Sequence, residues 1–468
     1  LIIIDRLKET VRLSEGLQSK GDILPAARSR ALDCLSRFGE RLRDMHASNV
    51  RAAGTSTLRR ARDSRDFCRT AEKRLGHPID VISGLEEARL IFSGVVHSTP
   101  PYEGHRLVLD IGGGSTELIL GQGTRPRALE SLHMGCVVTT ERYFGGGRIS
   151  RAAFDDARLA VRLKLRPVKA FFRDVEDVLA IGASGTIRAT ERIARSLSLI
   201  GSTLTLDAVE ELIGRVIEFE RLDDLSLPGL SAERAQVWPG GLAILVELMI
   251  ALRIDRVSIS DGALREGLLY ESIGRLQHED ARERSVRALA SRYSVDPEQA
   301  DRVRATAAGL LADCASSWDL QSELATAALA WAARLHEIGL DINHVGFQRH
   351  GAYIAANADL PGFPRSEQDL LAFLIASQRR QIDGDLRGVL PSSWQKKALR
   401  LAILLRLAVL LHRSRSRNSL PPIAVSAGGR HLKLEFPKAW LDDNPLTIAD
   451  LAREQAYLRD VGYELDFS

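Results

Sequence analysis

The sequence predicts an α/β protein whose second half is mostly α. Three observations carry this. Strand-like apolar runs alternate with helical patterns up to about residue 275. Beyond it the strand signal gives way to helices rich in Ala, Leu and Arg, broken at Pro297, Gly339, Pro361 to Pro364 and Pro391. A length of 468 residues at roughly 150 per domain suits about three domains, with 45% hydrophobic residues to fill their cores.

In chain order, strands are expected at Leu1–Ile4, Val50–Ala53 and Ile79–Ile82, with a helix over Ala26–Asp44. The pattern then repeats, with strands at Leu107–Ile111, Glu117–Leu120, Val178–Ile181 and Val257–Ser260. Helices are expected over 151–172, 187–198, 207–220 and 263–275. Two α/β domains in tandem, 1–102 and 103–275, are the economical reading, followed by a helical region 276–420 and a small α/β element 421–468. In the last, Ile423–Ala427 and His431–Phe436 flank Gly428 and Gly429 as a hairpin, with Leu432, Leu434 and Phe436 alternating.

The 64 basic and 61 acidic side chains nearly cancel to +3, which excludes the global field of a dedicated nucleic-acid binder and makes any anion site local. Cys34, Cys68, Cys136 and Cys314 form no CxxC, so neither a zinc ribbon nor a disulfide framework is expected, and a reducing cytoplasm fits. Leu242–Leu252 and Leu399–Leu411 fall short of the ~18 residues of a membrane span and read as buried helices. The chain opens on Leu1 with no signal peptide and reads as an N-terminal fragment.

The most specific segment is LVLDIGGGSTELIL, Leu107 to Leu120: a strand, an aspartate, three glycines, two hydroxyls and a second strand. Gly112, Gly113 and Gly114 allow positive φ and close approach of N–H groups to an oxyanion, with Ser115 beside them and Asp110 and Glu117 flanking the cradle. An ordinary glycine hairpin explains the same residues. A second loop, Gly182-Ala183-Ser184-Gly185-Thr186, follows a strand and opens a helix whose dipole favours an anion, although Ser184 and Thr186 also suit helix capping. A third turn, Ser260-Asp261-Gly262, leads to Arg265 and Glu266, readable as a ligand site or as a capped helix with a surface ion pair. In Ser83-Gly84-Leu85-Glu86-Glu87, Ser83 and Glu86 have capping-box spacing. Glu87 points about 100° away, free to be either a water-activating base or a solvated side chain.

These residues, together with GTSTLRRARD (Gly54–Asp63), ISGLEEARLIFSG (Ile82–Gly94), GASGT and SDGALREGLLY, resemble the exopolyphosphatase and guanosine pentaphosphate phosphatase family, over essentially the whole chain. The resemblance implies two actin-like ATPase (ribonuclease H-like) domains followed by an HD-like helical domain, the latter on LHEIGLDINHVGFQRHGAYIAANADLPGF, Leu335 to Phe363. Gly114 and the turn Ser260 to Ala263 look more like the exopolyphosphatase branch, which implies release of terminal phosphate from inorganic polyphosphate with Mg²⁺. Guanosine pentaphosphate is the alternative substrate, and a non-catalytic polyphosphate-binding protein a third reading. By residue match, Glu87 is the base for the attacking water and Asp110 and Glu117 are catalytic and metal-holding carboxylates. Arg59 binds phosphate, with Gly112, Gly113, Gly114, Ser115, Ser184, Gly185, Thr186 and Arg265 in the same role. The resemblance also suggests a homodimer; the cytoplasmic location is the one the cysteines imply, and peripheral contact at the inner membrane face stays open.

Family members begin with a strand and a phosphate loop ahead of the segment matched by Ile3–Lys8. The chain lacks that unit, so weak or no catalysis is expected of a protein beginning at Leu1, and an active enzyme if the unit lies upstream. His336-Glu337 stands where a metal-dependent HD site needs His-Asp, and no histidine lies between His278 and His336, so His344 and His350 are expected in a scaffold. Residues 379–417 carry a net +8 and leave the rest at −5, which suggests a basic track for a polyanion.

Overall fold

The apolar run after His105 is buried on both faces, which requires cover on both sides of a sheet. In the computed structural model, which describes residues 7–9, 11, 13, 21–276, 280–416 and 419–468, the chain forms two compact units, Leu1–Glu279 and Asp280–Ser468. The expected strand Leu1–Ile4, residues Ile3 to Arg6, His278 and Arg417 lie outside the described residues.

In the first unit, β1 (Ala53–Gly54) and β2 (Asp80–Val81) pair in parallel beside helix Pro25–Leu42, so the expected strands here are short. The principal sheet comprises β3 (His105–Ile111), β4 (Thr116–Gln122), β5 (Arg125–Leu132), β6 (Val178–Gly182), β7 (Leu204–Thr205) and β8 (Arg256–Ile259). Its order is β5-β4-β3-β6-β8-β7, with β3, β6 and β8 parallel and the others antiparallel to their neighbours. The unpredicted β5 carries Pro126 and few aliphatics, a composition an edge strand tolerates.

Alternation along β3 assigns its faces. Leu107, Leu109 and Ile111 enter the larger core, which surrounds helix Trp238–Leu252. That helix is apolar all round and therefore buried, as its sequence implied. Val108 enters the smaller core with Ile119, Ile181 and Ala88, Ile91, Phe92 and Val95 of helix Gly84–Ser98. Helix Leu264–Leu276 crosses that helix at backbone contact. A Cβ on Gly94 would lie 2.0 Å from the Ala263 carbonyl oxygen, and one on Gly267 1.9 Å from that of Leu90. The helix expected over 151–172 ends at Leu165, because Pro167 has no N–H to continue the hydrogen-bond ladder, and a 3-10 turn, Lys169–Phe171, follows.

The second unit packs helices Pro297–Trp318, Glu323–Leu335, Arg365–Ser377 and Ser392–Leu411 around one core. Its expected hairpin is β9 (Ala424–Gly428) with β10 (His431–Glu435), joined where Gly429 adopts φ +59°. The unpredicted β11 (Glu464–Phe467) adds in parallel to β10. No described helix is long and apolar enough to cross a membrane.

Candidate active site

Asp110 follows Val108 by two residues, so it shares the sheet face covered by helix Gly84–Ser98. Glu117 is its direct partner across the β3–β4 ladder and lies on the same face, buried. The covering helix supplies the third carboxylate. Ser83 caps it, its Oγ accepting from the Glu86 N–H at 3.1 Å, as the capping-box spacing predicts. The carboxylate of Glu86 pairs with Arg89 through two bonds of 2.8 Å, and Glu87 turns the other way into the buried site.

Three clustered carboxylates, Glu87 and Glu117 buried and Asp110 half-buried, repel, and their proton affinities reflect it. Burial, then the charge of Glu87, pushes Asp110 up to about 7, opposed by Arg188. Burial first, then Glu87 and Asp110, holds Glu117 well above the usual carboxylate range against hydrogen bonds from Ser115 and Ser131, the latter at 2.9 Å. Burial raises Glu87 as well, and Arg59 with the Thr55 hydroxyl pulls it back. Arg59 Nη1 donates to Glu87 Oε2 at 2.7 Å and to the Ile82 carbonyl at 3.0 Å. Its short helix, Ser56–Arg60, abuts the glycine loop, since a Cβ on Gly114 would stand 2.8 Å from Ser56 Oγ.

The glycine loop works differently from the expectation. Gly112, Gly113 and Gly114 are not among the positive-φ glycines. Close approach is what demands small residues. The Gly112 and Gly113 carbonyls accept N–H groups of Cys136 and Val137 at the start of helix Cys136–Phe144, and a Cβ on Gly135 would lie 2.3 Å from the Gly113 oxygen. The Gly112 N–H donates to the Ser115 carbonyl at 2.9 Å, so it is engaged inside the loop.

The loops after β3, β6 and β8 gather at the carboxyl edge of the parallel strands, where ligands of open α/β sheets bind. The Ala183 N–H donates to the Leu109 carbonyl, Thr186 Oγ1 to that of Ile111, and the Ser260 N–H to that of Gly182. Ser184 Oγ caps helix Gly185–Ser196 by accepting from the Ile187 N–H at 3.1 Å. Both hydroxyls of this loop therefore have structural partners, and its remaining anion-binding groups are the first N–H groups of the helix. Arg265 is exposed, and no described hydrogen bond or ion pair joins it to the carboxylates. At its turn Glu266 caps the Ala263 N–H at 2.9 Å, the capped-helix alternative.

Sequence reasoning missed two cations. Arg188 acts on Asp110 and is tethered by a 3.3 Å bond to the Asp261 carbonyl. Arg234 lies against the Gly185 helix start, its Nη2 2.9 Å from where a Gly185 Cβ would be. Arg188 stands two residues past the GASGT loop and was findable; Arg234 sits in a segment without a motif. Among the described residues no three His, Cys, Asp or Glu form a ready metal cage. The charge-crowded, all-oxygen set of Asp110 and Glu117 still fits Mg²⁺, which binds through one or two carboxylates together with substrate phosphates and water.

The basic run is not a continuous track. Arg400 and Arg406 are buried in helix Ser392–Leu411, Arg400 bonding the Trp318 and Gly429 carbonyls and Arg406 paired with Glu454. Lys397 pairs with Asp319, Arg413 with Asp450 and Arg415 with Asp296. His336 is buried, its Nδ1 2.7 Å from the Ala333 carbonyl.

A largely buried carboxylate cluster beside arginines and helix N-termini, on the carboxyl edge of an actin-like α/β fold, defines a hydrolase of phosphoanhydrides. Residues 1–276 match the Ppx/GppA phosphatase family and residues 281–455 match domain III of Ppx/GppA phosphatases. The chain belongs to the Ppx/GppA phosphatase family. It is similar to the guanosine-5′-triphosphate,3′-diphosphate pyrophosphatases of Aeromonas hydrophila, 38% identical over 460 residues, and Vibrio cholerae, 39% over 461, each alignment covering 98% of this chain and 92% of the relative. Among solved structures, an exopolyphosphatase from Cytophaga hutchinsonii is 25% identical with a TM-score of 0.50, over 56% of this chain and 86% of that one.

Proposed function

We propose that this protein hydrolyses the terminal 5′-phosphoanhydride of guanosine 5′-triphosphate 3′-diphosphate, leaving the 5′-diphosphate and releasing orthophosphate. The observation that carries the reaction is the convergence of buried Glu87 and Glu117 with half-buried Asp110 in one cluster with Arg59. The substrate rests on the two relatives named for this compound, similar over nearly the whole chain. They favour it over linear polyphosphate, to which Gly114 and the Ser260–Ala263 turn had pointed.

In this reading Glu87 accepts a proton from the attacking water as its oxygen bonds the terminal phosphorus and the bridging P–O bond breaks. Arg59 and the helix N–H groups at Gly185 hold the phosphoryl oxygens, with Arg234 beside them. Asp110 and Glu117 would hold Mg²⁺, which neutralises phosphate charge when bound. Arg188 restrains the proton affinity of Asp110 so that it can ionise for that role. A division of the first unit at 102/103, an HD-like character of the second, a homodimer and a cytoplasmic location belong to the same proposal.

The test is a side-by-side assay of orthophosphate release from guanosine 5′-triphosphate 3′-diphosphate and from linear polyphosphate. A higher kcat/KM for the nucleotide supports the reading; a preference for polyphosphate overturns the substrate assignment.

A further inference from the structure

The second unit contains a cavity of about 710 Å³ that the phosphatase reaction does not use. Six arginines and three acids line it, and the pairings are unequal. Arg406, Arg413 and Arg415 have carboxylate partners in Glu454, Asp450 and Asp296. Arg379, Arg380 and Arg453 have no ion-pair partner among the described residues, so the cavity keeps a surplus of three positive charges.

Two buried groups in this wall are unsatisfied. Arg379 Nε is buried with no hydrogen-bond partner, although the guanidinium lies 5.0 Å from the Phe347 ring centroid. An orphaned buried donor costs on the order of 1–3 kcal/mol unless a ligand or water meets it. Burial, then the charges of Arg413 and Arg380, lowers the Arg379 proton affinity, the mark of cations crowded without a counter-ion. Gln378 is 1% exposed. Its Nε2 donates to the Ile375 carbonyl at 3.1 Å and to that of His336, while its Oε1 has no partner.

The vacant donors ask for an anion, and the vacant acceptor asks for an N–H or O–H group on the same ligand. Beside Gln299, His336 and His344, the wall has an apolar part, made by Leu340, Val409, Leu410 and the Phe347 and Tyr457 rings. A ligand of phosphate alone has no use for an apolar wall or an acceptor. A nucleoside carrying phosphates matches all three features and fits the volume.

We propose that this cavity is a second binding site, for a phosphorylated nucleoside, with the phosphates on Arg379, Arg380 and Arg453 and the base against the apolar wall beside Gln378. It is independent of the substrate assigned to the first unit. His336 and Glu337, in the HD-like position, line the same cavity, so a site that lacks metal-ligand residues retains a binding role.

The experiment is isothermal titration of the whole protein with GDP, ADP and sodium tripolyphosphate, in the Glu87→Gln background so that turnover at the first unit does not intrude. Controls are Arg453→Glu, at an exposed position that leaves folding untouched, and the double variant Arg379→Ala with Arg380→Ala, checked by circular dichroism. The expected result is nucleotide binding that weakens by roughly tenfold or more in both variants, with tripolyphosphate weaker than the better nucleotide. Binding unaffected by either variant overturns the site. Tripolyphosphate binding as tightly as both nucleotides overturns the nucleoside assignment.

Discussion

Arg59 Nη1 and Glu87 Oε2 are 2.7 Å apart, so the cation assigned to phosphate and the base assigned to water form one ion pair. In the proposed mechanism Arg59 therefore has two jobs: it attracts the substrate and opposes the rise that burial gives the Glu87 pKa.

Arg59→Met is expected to separate these effects. Losing the opposing charge raises the Glu87 pKa, so the acid limb of the kcat/KM profile moves to higher pH, by roughly one unit. KM also rises as a phosphate contact disappears. A pH–rate profile with an unmoved acid limb would contradict the coupling.

Asp110 makes stability depend on pH in a direction that can be worked out. Its folded-state pKa of about 7 exceeds the ordinary 3.8, so the native state binds the proton more tightly than the unfolded chain. The stabilisation is full below about pH 4 and is lost as pH rises through 7. Without divalent cation, the Tm of the wild type minus that of Asp110→Asn is expected to fall between pH 5 and pH 8. Mg²⁺ should recover part of it at pH 8, because the cation binds the ionised form. A difference independent of pH would sink the assignment.

In the second unit, Arg406 and Glu454 form a buried bidentate pair, Arg406 also bonding the Ser377 carbonyl. Arg406→Ala is expected to destabilise this unit by about 3–5 kcal/mol, because it leaves Glu454 buried and unpaired. Replacing both residues by Met and Leu should cost far less. Denaturant unfolding followed by tryptophan fluorescence reads this, since four of the five tryptophans lie in the second unit.

Much of the site was legible because its residues sit at fixed offsets on regular elements. Asp110 and Glu117 flank a tight loop between two strands, and antiparallel pairing then makes them neighbours. Glu87 was separable from Glu86 by the helical angle between them. The glycines were legible as necessary but not in their reason, which is contact with Gly135 and Ser56, residues distant in sequence. Arg234 was invisible for the same cause, reaching Gly185 only through the fold. The basic run misled because net charge does not separate buried from exposed residues: Arg400 and Arg406 lie in a stretch of helix buried almost all round, where their partners Trp318 and Glu454 come from elsewhere in the chain.

The account's central claim is that Glu87 activates the water that cleaves guanosine 5′-triphosphate 3′-diphosphate. The most direct measurement is kcat for orthophosphate release from that substrate by the wild type and by Glu87→Gln, which keeps size and a partner for Arg59. The account predicts a fall of roughly 10²–10⁴-fold with KM little changed. An unchanged kcat would contradict it.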